Sequence, residues 1–194
     1  MRNRSELVVG ALLVALALTG CATAGAGSGV APPSVGGPAV SGEPASSTGG
    51  TDTAALEQAQ AWMEAATLPS GAIHSDPSVA AFTSYQGWPC GPVEELEAFW
   101  TIPGATVSKT ANWLMENPTA DLITTALAPV PDDQTITTTT VGYIPAPDAQ
   151  EGIVYTIMKT ADGVAVRAEI AALTASAVCP TPPGGGIWGE PGLG

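Results

Sequence analysis

Two stretches of the chain carry apolar residues at helical spacing. Through residues 53–68 one helix face carries Leu56, Ala59, Met63 and Ala66. Residues 106–116 repeat the pattern, with Val107, Ala111, Leu114 and Met115 on one side. Either Thr51 or Asp52 is suited to cap the first helix, and a proline follows each stretch. The sequence therefore predicts two amphipathic helices.

The rest of the folded region alternates or is rich in β-branched residues, which is typical of strands. In the last of these runs Val164, Val166 and Ala168 face one way, while Arg167 and Glu169 face the other. This favours an antiparallel sheet with one solvated face and two helices packed on the other, an α+β fold. Asp162-Gly163 between two runs predicts a hairpin. The predicted strands, about five, are residues 97–102, 122–128, 135–144, 152–159 and 164–173.

The first twenty-one residues have a different pattern. Arg2 and Arg4 precede an uncharged, largely apolar run over residues 7–18, which as a helix would cover about 18 Å. That is too short for the hydrocarbon core of a bilayer and typical of a secretory signal peptide. The run ends in Leu18-Thr19-Gly20-Cys21, which resembles the lipobox of bacterial lipoproteins.

The lipobox resemblance implies cleavage between Gly20 and Cys21 and transfer of a diacylglycerol to the Cys21 thiol. Two acyl chains give stable anchoring where one would be marginal. The partner would then be the lipid bilayer, and the location the extracytoplasmic face of the cell membrane. The alternative is an ordinary signal peptide in which Cys21 lies beside the cleavage site by chance.

Four segments follow from these patterns. Residues 1–20 are the signal peptide, and residues 21–50, almost all small residues and proline, form a flexible tether. Residues 51–179 form the α+β domain, which is long enough for a core. Residues 180–194 contain three consecutive glycines and several prolines, which predicts a disordered tail.

Charge limits the classes of partner. Only 12% of residues are charged, and 18 acids against 5 bases give a net charge of −13. Loss of residues 1–20 removes Arg2, Arg4 and Glu6 and takes the charge to −14. Such a chain does not suit nucleic acid or anionic lipid headgroups, and a neutral or cationic partner is favoured. One His and three Cys exclude a zinc site built from those residues, and no phosphate-binding glycine motif is present, so we expect no cofactor.

Two cysteines remain beside Cys21. Cys90 and Cys179 form an even pair in an oxidising compartment, which predicts a structural disulfide. The alternative starts from Trp88-Pro89-Cys90-Gly91-Pro92, which superficially resembles a thioredoxin motif but lacks its second Cys.

Catalytic candidates are weak. His74-Ser75-Asp76 places hydrolase residue types side by side, but consecutive residues cannot form a triad, so His74 would need distant partners. Carboxylates cluster at residues 94–97, at 132–133, and at Asp148 with Glu151. Paired carboxylates serve glycosidases and Ca²⁺ sites, yet no loop has Ca²⁺-ligand spacing. We predict no catalytic residue and no metal ligand.

Tryptophans are the other candidates, five against two Phe. Trp62, Trp100 and Trp113 lie in predicted elements and are expected in the core. Trp88 and Trp188 lie among prolines and glycines, where an exposed indole can stack on a ligand or anchor a partner. Trp88 is the ligand-binding candidate, and Trp188 the candidate for a short recognition peptide.

The order of motifs also resembles a small, uncharacterised extracytoplasmic domain of actinobacterial lipoproteins and secreted proteins. The resemblance lies in residues 99–104, Trp113-Leu114, Asn117-Pro118 and the closing hairpin. It implies the fold and no activity. We therefore expect a non-enzymatic lipoprotein with a binding or accessory role in the cell envelope and a possible envelope protein partner. The alternatives are a small hydrolase using His74 with nearby Ser and Asp, or a carrier of an apolar ligand.

Overall fold

A computed structural model describes residues 52–193 of the chain. Its helices are α1 (Thr53–Ala65) and α2 (Val107–Glu116), and a 3₁₀ turn covers Pro77–Val79. The strands are β1 (Ile73–Ser75), β2 (Gly91–Pro103), β3 (Ile123–Thr124), β4 (Thr138–Ile144), β5 (Gly152–Lys159) and β6 (Gly163–Val178). The predicted α+β fold is confirmed.

One antiparallel sheet takes all six strands, in the order β1-β2-β6-β5-β4-β3. The extra strand relative to the sequence prediction is β1, which has three residues and is too short to show alternation. β6 has sixteen residues and spans about 50 Å. It pairs with β5 through the predicted hairpin and with β2 along its other edge.

Strand bounds differ from the predictions where side chains redirect the backbone. The run predicted at residues 122–128 is a strand only at Ile123–Thr124. Beyond it the Asn112 side chain donates to the Val130 carbonyl at 2.8 Å and accepts from its N–H at 2.7 Å. This ties the chain to α2 rather than to β4. The next strand begins at Thr138 because Asp133 accepts from the Thr135 N–H at 2.8 Å and forms a turn.

Both helices lie on one face of the sheet, α1 over β2 and β6 and α2 over β4 and β5. Asp52 caps α1, accepting from the N–H groups of Ala54 and Ala55, and Thr106 caps α2. The buried layer between helices and sheet includes Leu114, Tyr143, Ile153, Tyr155, Ile157 and Ile170. Trp62 is buried in this layer, and Trp100 and Trp113 pack against it, as predicted for the core.

Two tyrosines cross this core, with their rings edge to face and centroids 5.9 Å apart. The Tyr143 hydroxyl donates to the Leu114 carbonyl of α2, and the Tyr155 hydroxyl lies 2.8 Å from Thr119 Oγ1. Burial raises the pKa of Tyr155 to about 12. Each of these two tyrosine hydroxyls thus has a partner and links the helix side to the sheet.

The second face of the sheet was predicted to be solvated, and at its centre this prediction is wrong, although Glu95 and Glu97 of β2 are exposed on the same face. Arg167 and Glu169 of β6 point to this face as expected, yet they are 0% and 6% exposed. The irregular segment of residues 80–90 crosses the face, and Phe82 packs on Phe99 and Ala165. The C-terminal segment, residues 180–193, contacts the same face at β4.

Candidate functional site

The buried ion pair of Arg167 and Glu169 lies at the centre of the second face. The two residues are adjacent on the same side of β6, and Arg167 Nη2 lies 2.6 Å from Glu169 Oε2. Arg167 also donates to the Ser84 carbonyl. Its Nε and Nη1 have no hydrogen-bond partner among the described residues. Arg167 is the one base that the described structure encloses in the fold, since Lys109 and Lys159 are both exposed.

Aromatic rings complete the enclosure of Arg167. Its guanidinium carbon lies 4.9 Å from the Phe82 ring centroid and 4.2 Å from that of Tyr85. Both distances are within the range of cation–π contacts. Tyr85 is 67% exposed, so the residue that covers the guanidinium is itself largely in solvent. Contacts with Arg167 and its neighbour Glu169 help to hold the 80–90 segment on the sheet, together with the packing of Phe82 on Phe99 and Ala165.

Glu169 links the two covering segments. Its Oε1 accepts from the Gln86 N–H at 3.0 Å, and Gln86 Oε1 accepts from the Gly192 N–H at 3.2 Å. Burial raises the pKa of the Glu169 carboxyl, while Arg167 opposes the shift and Glu97, directly opposite on β2, adds to it. The pair is thus part of a chain of contacts from the 80–90 segment to the C-terminal segment.

The C-terminal segment lies against the sheet, unlike the disordered tail that its composition predicts. Thr125 Oγ1 donates to the Pro191 carbonyl at 2.9 Å, and Thr140 Oγ1 donates to that of Gly192 at 2.8 Å. Close approach is possible because β4 has a glycine here, Gly142, where a Cβ would lie 2.1 Å from the Pro191 oxygen. Composition alone carried no information about these long-range hydrogen bonds.

The predicted disulfide between Cys90 and Cys179 is present, with the Cα atoms 4.1 Å apart. It joins the chain just before β2 to the chain just after β6, where Gly91 pairs with Val178. Trp88, the predicted ligand-binding residue, is half-buried two residues before it, and its ligand role stays a prediction.

The hydrolase candidates make local contacts in the structure. His74 lies on edge strand β1, and its ring packs edge to face on Trp100 with centroids 5.6 Å apart. Asp76 caps the 3₁₀ turn by accepting from the Ser78 N–H at 2.8 Å and from its hydroxyl. These bonds hold the pKa of Asp76 below its ordinary value. Ser75 donates to the Ile73 carbonyl at 3.3 Å.

One carboxylate of each acidic cluster is likewise engaged in structural hydrogen bonds. Glu94 accepts from the Asp52 N–H at 2.8 Å, and Glu151 from the Leu173 N–H at 2.7 Å. Hydrogen bonds from Thr135 lower the pKa of Asp133. Within residues 52–193 no group of three His, Cys, Asp or Glu side chains is arranged to hold a metal ion.

Clefts open at both ends of the long strand β6. At the hairpin end, two clefts of about 330 Å³ flank residues 160–163, one of them lined by Lys159 and the start of α2. At the other end, a cleft of about 300 Å³ lies beside Cys179, between residues 148–150 and the C-terminal segment. We call it the disulfide-end cleft. The residues that line it include Asp148, Gln150, Pro180, Ile187 and Trp188.

Sequence reasoning missed the buried pair and the disulfide-end cleft. The signal for the pair was Arg167 and Glu169 at alternate positions of the run at residues 164–173, whose other residues are all apolar. For the cleft the only signal was Trp188, in a segment predicted to be disordered. Gly20 and Cys21, the predicted cleavage and lipidation residues, lie outside the described residues. No helix in the described part of the chain is long and apolar enough to cross a membrane.

Comparison with known proteins adds no assignment to this site: no protein-family model, curated protein or solved structure matches the chain.

Proposed function

We propose that this protein is a lipoprotein anchored through Cys21 to the extracytoplasmic face of the cell membrane, whose domain has a non-enzymatic binding or accessory role. The signal peptide ends at Gly20, the tether covers residues 21–50, and the partner is an envelope protein. The lipobox resemblance supports the anchor. A disulfide between Cys90 and Cys179 suits an oxidising compartment.

The observation that carries the non-enzymatic role is how the ionisable side chains are used. Asp52 and Asp76 cap helical turns, Asp133 closes a turn, and Glu169 pairs with Arg167. A general acid or base must have a lone pair or proton free to reach a substrate. Here hydrogen bonds within the fold lower the pKa values of the Asp52, Asp76 and Asp133 carboxyls, and burial raises the pKa of Glu169.

The entry of the chain into the domain is consistent with a tethered module. Asp52 stands at the start of α1, and its carboxylate accepts from the Ala175 N–H at 3.0 Å, near the disulfide end of β6. From there to Gly163, β6 covers about 40 Å. The hairpin-end clefts are therefore at the end of β6 far from Asp52, the first described residue.

Replacement of Cys21 tests the anchor in cells that produce the full chain. With Cys21→Ala, we expect the protein to move from the membrane fraction to the soluble extracytoplasmic fraction, because the acyl acceptor is lost. Thr23→Ala, in the same small-residue stretch, serves as the control and should stay in the membrane fraction. Membrane retention of a processed Cys21→Ala chain would contradict lipid anchoring.

In-cell crosslinking followed by mass spectrometry tests the binding role. We expect a discrete envelope protein attached to the wild-type chain, and none attached to a chain with residues 51–194 removed. A hydrolytic activity of the purified protein that is lost in His74→Ala would overturn the non-enzymatic proposal.

A further inference from the structure

Three hydrogen-bond donors of residues that line the disulfide-end cleft already have partners within the protein. Trp188 Nε1 donates to the Pro180 carbonyl at 2.6 Å. Gln150 Nε2 donates to the Asp148 carbonyl at 3.3 Å, and the Asp148 N–H donates to Glu190 Oε1 at 3.4 Å. The indole N–H, the side-chain amide and a backbone amide therefore have partners within the protein.

Two side-chain acceptors of the cleft have no hydrogen-bond partner among the described residues. No donor among residues 52–193 reaches the Asp148 carboxylate or the Gln150 side-chain oxygen. Because the indole N–H of Trp188 donates to the Pro180 carbonyl, this side chain presents its ring to the cleft rather than a hydrogen-bond donor. An acceptor-rich site with an aromatic wall complements a group that only donates.

Charge favours the same kind of group. No Lys or Arg lines this cleft, whereas Asp148 does, and the domain around it is strongly acidic. The described bases lie elsewhere: Lys159 lines a hairpin-end cleft, and Arg167 is buried against Glu169. An anionic ligand would meet repulsion here. A sugar ring carries no positive charge, so it would not form a charge-assisted pair with the Asp148 carboxylate.

We propose that the disulfide-end cleft binds a single alkylammonium or guanidinium group, with Asp148 as the counter-ion and the Trp188 ring as the cation–π surface. This rests on the binding role proposed above and names the chemistry of the ligand. The volume of about 300 Å³ is at the small end of ligand sites, which suits one cationic side chain or a small amine. The group comes from a basic residue of a protein partner or from a free amine.

Binding of small probes to the full-length mature protein, measured by isothermal titration calorimetry, tests the proposal. The cationic probes are Nα-acetyl-lysine amide and Nα-acetyl-arginine amide, and Nα-acetyl-norleucine amide is the uncharged control. Cadaverine represents the free amines, and the acetylated pentapeptide Gly-Gly-Lys-Gly-Gly amide represents a partner chain. We expect saturable binding of the cationic probes and none of the norleucine compound. Stronger binding of the pentapeptide assigns a protein partner, and stronger binding of cadaverine assigns a free amine.

Variants locate the site. Asp148→Asn keeps the size of the side chain and suits the left-handed backbone of this residue, whose φ is 64°. We expect it to weaken binding of the cationic probes about tenfold or more. Trp188→Leu should weaken binding about fivefold or more, and Trp188→Phe less, because the Phe ring still offers a π face. Asp121→Asn, an exposed Asp outside the cleft, is the matched charge control and should bind as the wild type does.

Three results would overturn the proposal: equal binding of the norleucine compound, unchanged affinity in Asp148→Asn, or equal weakening in Asp121→Asn. The last would mean attraction to the acidic surface in general. Trp188→Phe guards against misfolding, since it retains the packing of the ring, and thermal melts of each variant check the fold. The anchoring and crosslinking tests are made in cells and do not use these probes. A negative result for the cleft would therefore leave the proposed anchor and binding role to be decided by those tests.

Discussion

The two faces of the sheet are covered in different ways. On the helix face, α1 and α2 bury a continuous apolar layer, and each of its buried tyrosine hydroxyls has one partner. On the other face, two irregular segments cover a small apolar cluster and one ion pair, Arg167 with Glu169. Successive side chains of β6 point alternately to the helix face and to the second face, so this one strand contributes to both.

The contrast implies that substitutions destabilise the two faces in different ways. In an apolar layer, the loss of stability grows with the size of the side chain that is removed. An enclosed ion pair is instead sensitive to the loss of one partner, because the remaining charge is left without compensation. The 80–90 segment contacts this pair through Ser84 and Gln86, and the C-terminal segment is linked to it by the hydrogen bond from the Gly192 N–H to Gln86. A change at one position of β6 should therefore affect residues far away in the sequence.

The largest effect is expected from Arg167→Ala, measured as the free energy of unfolding in urea. The variant leaves Glu169 buried without its cation, and we expect a loss of about 3–5 kcal/mol. The Phe82 and Tyr85 rings also lose the guanidinium between them. Hydrogen exchange should increase in the 80–90 segment more than in α1 or α2.

The control is the double variant Arg167→Met with Glu169→Leu, which replaces both charges by apolar groups of similar volume. We expect it to recover most of the lost stability. If Arg167→Ala costs less than about 1 kcal/mol, or the double variant is no better, the pair does not hold this face together.

The C-terminal half of the same face is tested by Gly142→Ala. A Cβ on Gly142 would lie 2.1 Å from the Pro191 oxygen and 2.6 Å from Thr125 Oγ1, so the C-terminal segment must move. We expect a cost of about 1–3 kcal/mol and faster hydrogen exchange in residues 180–193. Gly189→Ala is the control, because a Cβ there contacts nothing within 4 Å. Unchanged exchange in Gly142→Ala would mean that the segment does not rest on β4.

The helix face could be predicted from sequence because its signals are local and periodic. The helical spacing, the Asp52 cap and the Asp162-Gly163 turn each lie within a few residues of the element they define. The second face could not be predicted in this way, because the segments that cover it are irregular and have no periodic pattern of apolar residues. Arg167 meets Tyr85, and Gln86 meets Gly192, across 80 residues or more of chain. A charged pair on an alternating strand therefore resembled a solvated face.

The candidate site followed the same rule. Cys90 and Cys179 could be paired by counting, since only one pairing remained once Cys21 was set aside. Asp148 and Trp188 could not be paired in this way. They are forty residues apart, and the fold brings them to one cleft only after the C-terminal segment turns back at its glycines. Trp88, the ligand-binding residue that the sequence predicts, precedes Cys90, whereas Trp188 follows Cys179, the other half of the disulfide.

The smallest effect expected is a pH dependence that belongs to Glu169. Because burial raises its pKa in the folded protein, the folded state binds this proton more tightly than the unfolded chain does. The stability it contributes is complete below the ordinary Glu pKa of 4.5 and is lost as the pH rises through the raised value. Asp52, Asp76 and Asp133 behave oppositely, because their lowered pKa values give stability that is lost only as the pH falls below the ordinary Asp value of 3.8.

The window above pH 4.5 therefore isolates Glu169 from these caps. Urea unfolding of the wild type and Glu169→Gln from pH 4.5 to 7.5 should show the wild type losing stability relative to the variant as the pH rises. Glu97→Gln removes the like charge opposite Glu169, so it should reduce this loss without abolishing it. A wild type that gains stability relative to Glu169→Gln over this range would mean that Arg167 outweighs burial. The attraction between Arg167 and Glu169 would then stabilise the second face by more than burial of the carboxylate destabilises it.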